Sequence, residues 1–101
     1  MLIEIKTAEQ FDAEIKSGKV LVDFNATWCG PCQMLKPIIE KVGTRDDIKV
    51  LSVDTDEVGE VAARYDVYSI PTLLLIEDGN VTNKSVGFVP EPAVLKFAGL
   101  N

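Results

Sequence analysis

Apolar residues recur along this chain with two alternating periods. Leu2 to Ile5 reads as a first strand. Thr7, with Gln10 three residues on, has the spacing of a capping box, predicting a helix that Gly18 closes. Val20-Leu21-Val22 and Phe24 form a buried run, predicting a second strand to about Asn25. Leu35, Ile38, Ile39 and Val42 then fall at i, i+3, i+4 and i+7, one apolar stripe of a helix that starts near Pro31 and ends at Gly43. Pro37 inside it removes one backbone hydrogen bond and predicts a bend. Ile48 to Asp54 is a third strand, and Val58, Val61, Ala62 and Tyr65 mark a short helix after Asp56. Thr72 to Ile76, apolar from Leu73 on, reads as a strand. Asp78-Gly79-Asn80 turns it into a hairpin partner, Val81 to Val86. Pro92, Val94, Leu95, Phe97 and Ala98 predict a last helix, weakly capped by Pro90 and Glu91. Alternation of this kind implies an α/β fold with helices covering both faces of a sheet.

Composition narrows the picture. With 101 residues, 47% of them hydrophobic, the chain is expected to form one domain, residues 1–101, with a real core. Its 10 basic and 16 acidic residues give a net charge of -6, which argues against a general nucleic-acid or anionic-membrane surface. No apolar run approaches the ~18 residues of a membrane helix. Met1 to Lys6 lacks the charged start and small-residue cleavage site of a signal peptide, so a cytoplasmic location is expected. In that reducing compartment a cysteine pair is expected to be catalytic rather than a structural staple.

That pair carries the chemistry. The two cysteines stand in Trp28-Cys29-Gly30-Pro31-Cys32, where a strand gives way to a helix, with Pro31 in the first turn, where a missing N–H costs nothing. Unpaired N–H groups and the positive end of the helix dipole favour a thiolate at Cys29, and the thiolate is the nucleophile of disulfide exchange. Cys32, one turn further in, is expected to be more buried and to resolve the mixed disulfide. Asp23 lies inside the apolar second strand, where desolvation raises a carboxyl pKa and lets it accept a proton near neutral pH. The competing reading of Asp23 is an outward-facing strand residue.

With Asp23-Phe24, Ala26, the pentapeptide 28–32, Pro37, Asp56, Ile70-Pro71-Thr72 and Val86-Gly87 in order along nearly the whole chain, the sequence resembles the thioredoxin family. The resemblance implies a thioredoxin fold, a five-stranded mixed sheet flanked by four helices. It also implies a thiol-disulfide oxidoreductase that reduces disulfides in client proteins, is recharged by a thioredoxin reductase, and needs no bound cofactor or metal. It makes Asp23 the acid-base partner of Cys32. It holds Pro71 cis, facing the dithiol, with the backbone of Ile70 pairing with an extended substrate segment. It implies an indole hydrogen bond from Trp28 to Asp56, against the plainer reading of a core aromatic and a helix cap. Gly30, Pro31, Ile70, Val86, Gly87 and Phe88 are then candidates for an apolar docking patch, although Val86 and Phe88 also fit ordinary packing or incidental exposure.

Some positions depart from the commonest pattern of that family. Asn25 stands where many members carry a second tryptophan, Ser52 where a lysine often neighbours the buried aspartate, and Phe88 where a small residue is usual. The segment Gly43 to Asp47 is about two residues short. Two other classes of function compete with this reading. A zinc site wants four ligands, and two cysteines with no histidine could supply it only by bridging two chains. A redox-silent interaction module on the same fold is the other. The chain is expected to act as a monomer. Hydrolase schemes that need histidine are excluded, and no glycine-rich phosphate loop is present.

Overall fold

The structure, a computed structural model, describes residues 1–101. Along the chain run β1 (Leu2–Glu4), α1 (Ala8–Glu14), β2 (Lys19–Asn25), α2 (Gly30–Val42), β3 (Lys49–Asp54), α3 (Gly59–Arg64), β4 (Thr72–Glu77), β5 (Asn80–Val86) and α4 (Glu91–Phe97). The strands form one sheet in the order β1-β3-β2-β4-β5. Parallel pairing joins β3 to β1 and β2, and antiparallel pairing joins β4 to β2 and β5. This is the five-stranded mixed sheet with four helices that the family resemblance implied.

Period-two alternation sorts each strand between two cores. Val20, Val22 and Phe24 of β2, Leu51 and Val53 of β3, and Leu74 and Ile76 of β4 face Phe11 of α1 and Val61 of α3. Leu21, Val50, Leu73 and Leu75 point the other way, onto Leu35, Ile39 and Val42 of α2, Val94 of α4 and Ala98 at its end. Asp23, two residues beyond Leu21, shares that second face. In register it stands opposite Ser52 on β3 and Leu73 on β4.

Several local expectations are corrected. Thr7 caps α1 by accepting the Gln10 N–H at 3.0 Å, but the Gln10 carboxamide oxygen takes the N–H of Lys6 at 2.7 Å instead of returning to Thr7. Gly18 does not close α1, whose cap is Ile15. Instead Gly18, at φ +81°, turns the chain into β2 and donates its N–H to Asp78 Oδ1 at 2.8 Å, tying that turn to the β4–β5 hairpin. Across the hairpin Asp78 and Gly79 are both left-handed, at φ 50° and 86°, the backbone of a type I′ turn. Pro37 lies inside α2, as the sequence placed it. At its end Gly43 is right-handed, at φ -65°, so conformation does not demand glycine there; a Cβ would stand 2.8 Å from Leu2 Cβ. No helix is long and apolar enough to cross a membrane.

Candidate active site

Strand β2 ends at Asn25, and a tight turn, closed by Cys29 N–H to Ala26 O at 3.2 Å, delivers the chain into α2. Cys29 is the N-cap: its backbone is extended and its Sγ accepts the N–H of Cys32 at 3.3 Å. The two cysteines are joined as a disulfide, with Cα atoms 5.2 Å apart. Opening it leaves Cys29 Sγ with a backbone donor and the helix N-terminus, both of which favour the thiolate.

The expected difference in burial is absent, because Cys29 is 5% and Cys32 4% exposed. The two sulfurs differ in their surroundings. Cys29 Sγ lies 3.8 Å from Ile70 O, beside a cis Ile70-Pro71 bond. Cys32 lines a cavity of about 230 Å³ together with Asp23, Asn25 and Ser52.

One distant segment touches the dithiol, and a second is tied to that segment. Ile70 packs on a small cluster of Ala26, Cys29 and Cys32. Pro71 O accepts the Gly87 N–H at 2.8 Å, and Val86 pairs with Thr72, so the end of β5 is held beside the Ile70-Pro71 loop. Gly87 has φ 95°, a backbone that its lack of a Cβ permits. Gly30 and Pro31 are exposed at the start of α2. Trp28 is 70% exposed, not a core aromatic, and its Nε1 donates to Asp56 Oδ2 at 2.8 Å. Asp56 does not cap α3, whose N-cap is Val58. Asp54 Oδ1 instead takes the N–H of Asp56 and of Glu57, and α3 starts without a side-chain cap. Val86 and Phe88 are exposed, and Phe88 joins none of the packed clusters.

In the cavity it shares with Cys32, Asp23 is 5% exposed and not outward-facing. Its Oδ2 accepts from Asn25 Nδ2 at 3.2 Å, while Oδ1 is buried with no partner. The same amide nitrogen donates to Ser52 Oγ at 2.9 Å and lies 3.1 Å from Asp23 O. Burial raises the Asp23 carboxyl to about 6 against the smaller, opposing pull of the Asn25 hydrogen bond. No group of three histidine, cysteine or acidic side chains is placed to hold a metal ion.

The Thioredoxin family model matches residues 2–98 of this chain. The chain belongs to the thioredoxin family. It is 46% identical over 96 residues to the thioredoxin of Bacillus subtilis, covering 93% of this chain and 92% of that protein. Against a Staphylococcus epidermidis thioredoxin it is 47% identical over 93 residues, covering 90% and 89%. Among solved structures, Malassezia sympodialis thioredoxin superposes with a TM-score of 0.87 at 29% identity, over 96% of this chain and 93% of that one. A mutant thioredoxin from Halobacterium salinarum gives 0.87 at 33% identity, over 99% and 93%. As a member of that family, the chain is a thiol-disulfide oxidoreductase that reduces protein disulfides. Membership brings disulfide-bearing client proteins and a thioredoxin reductase as its partners.

In sequence, Asn25 and Ser52 stand out only as departures from the thioredoxin pattern. In the folded chain they are hydrogen-bonded to each other and enclose Asp23. Alternation places Asn25 on the face of Asp23, but no local signal sets Ser52 opposite it.

Proposed function

We propose that Cys29 attacks the client disulfide and that Cys32, with Asp23 as its acid-base partner, resolves the mixed disulfide. The observation that carries this reading is the unequal setting of the two sulfurs: Cys29 caps α2, and Cys32 shares a cavity with Asp23. The Cys29 thiolate forms a bond to one client sulfur, and the other leaves with the electron pair and takes up a proton. Asp23 carboxylate then accepts the Cys32 thiol proton. The resulting thiolate bonds to Cys29 Sγ, the bond from Cys29 to the client breaks, and the second client sulfur departs as a thiolate. Two electrons have passed to the client, leaving the Cys29–Cys32 disulfide for the reductase to reopen.

An extended client segment pairs with the backbone of Ile70, next to Pro71, and Trp28, Gly30, Pro31, Val86, Gly87 and Phe88 surround it as the docking patch. Recognition through backbone gives a broad client range. Residues 1–101 work as a single thioredoxin domain, as a monomer in the cytoplasm, without nucleic-acid or membrane partners. The net charge of -6 supports the last of these readings.

Mass spectrometry of the Cys29→Ser and Cys32→Ser variants, each mixed with a disulfide client, tests the assignment. Cys29→Ser is expected to lose attack, and Cys32→Ser to accumulate a mixed disulfide through Cys29. Equal trapping by both variants overturns it.

A further inference from the structure

Asn25 has one side-chain NH₂ with two hydrogens. Its nitrogen lies 3.2 Å from Asp23 Oδ2, 2.9 Å from Ser52 Oγ and 3.1 Å from Asp23 O. Asp23 and Ser52 are direct neighbours in the β2–β3 register, so the amide spans a strand pairing and grips the carboxyl from one side. Only Oδ2 is held; Oδ1 stays buried and unpartnered. We propose that Asn25 is a positioning residue for the resolving step, tying Asp23 to Ser52 so that one carboxyl oxygen is held and the other is left free for the Cys32 proton. The proposal rests on the acid-base reading given above for Asp23.

Burial is the larger influence on the carboxyl, and Asn25 supplies the one side-chain contact that opposes it. Strand β4 contributes Leu73 opposite Asp23, which cannot titrate. From α2, Cys32, Lys36 and Glu40 line the shared cavity; Glu4 and Lys6 line it from the end of β1, and Asp54 and Glu57 from the end of β3. Lys6 is paired with Glu4 at 3.5 Å and Glu57 at 3.8 Å. None of these charged side chains hydrogen-bonds Asp23; Asn25 is the side chain that does. Removing the amide leaves the ionised carboxylate without its one side-chain donor, which favours the protonated form.

The experiment follows Asp23 by carboxyl ¹³C NMR titration of the oxidised protein and follows mixed-disulfide resolution in single turnovers across pH. Asn25→Leu is expected to move the Asp23 midpoint upward by about half to one pH unit. The pH profile of resolution should move upward with it. Ser52→Ala, which frees Asn25 from its anchor, should move both in the same direction by less, and it decides the question if Asn25→Leu does not fold. In an Asp23→Asn background, Asn25→Leu should change the resolution rate less than about twofold, since the group it positions can no longer titrate. An Asp23 midpoint unmoved by Asn25→Leu, or unmoved by Ser52→Ala where that variant decides, overturns the proposal. So does further slowing of resolution by Asn25→Leu in the Asp23→Asn background. If Asp23→Asn alone resolves at the wild-type rate, the acid-base reading fails and Asn25 positions nothing in that step; the Asp23 midpoint then shows separately whether the amide holds the carboxyl.

Discussion

At Asp23 a carboxyl group is kept dry where the unfolded chain would hydrate it, and this one residue couples stability to pH. Its value in the folded protein, about 6, lies above the ordinary 3.8. Below both values the group is protonated in either state and the full stability is present. As pH rises, the unfolded chain ionises first, so stability falls through the window from 3.8 to about 6 and stays reduced above it. The difference corresponds to a penalty on the order of 3 kcal/mol. Asp23→Asn is expected to flatten this part of the stability profile and to make the oxidised protein more stable at neutral pH. Urea unfolding from acid to alkaline pH measures both. Parallel profiles for the two proteins would remove Asp23 as the source.

Elements are legible from periodicity wherever packing and local pattern agree. The stripe of Leu35, Ile39 and Val42 is buried as its spacing requires, with Ile38 at its margin. Glycines are harder to read, since a turn, a helix end and a close approach all select the same residue. Gly18 has the look of a helix stop and proves to be a turn held by Asp78; Gly43 does end α2, but the space beside Leu2 is what demands it. Gly43→Ala tests that reason. A methyl group gains helix propensity of up to ~1 kcal/mol, yet meeting Leu2 Cβ at 2.8 Å imposes an overpacking cost of about 1–3 kcal/mol. We expect a net loss of stability in urea, with faster amide exchange in β1. A more stable variant would show that β1 yields without cost.

On the scale of the whole molecule, the site is assembled from parts far apart in sequence, and the surface around it belongs to a chain of net charge -6. A field of that sign steers oppositely charged partners and is screened by salt. Reduction of a basic disulfide client is expected to be faster at low ionic strength and to slow as salt is added, whereas an acidic client of similar structure should be accelerated by salt. Initial rates over a range of added salt check this. An identical salt response from both clients would mean that net charge has no part in encounter.

The order of strands and helices, the dithiol at a helix start, the buried run around Asp23 and the Asp78-Gly79 turn were determined by the sequence alone, because each depends on residues within a turn or two of one another. The strand order, the contact of Ile70 with the dithiol and the hydrogen bond from Trp28 to Asp56 were legible only through resemblance to thioredoxins. Tertiary structure alone decided that Asp23 faces Ser52, that Asn25 binds both, that Gly87 is tied to Pro71, and that Cys29 and Cys32 are equally buried. These are matters of register and of packing between distant segments. A period of two assigns a residue to a face of its strand, but which residue lies across from it is set by the packing of the whole sheet against its helices.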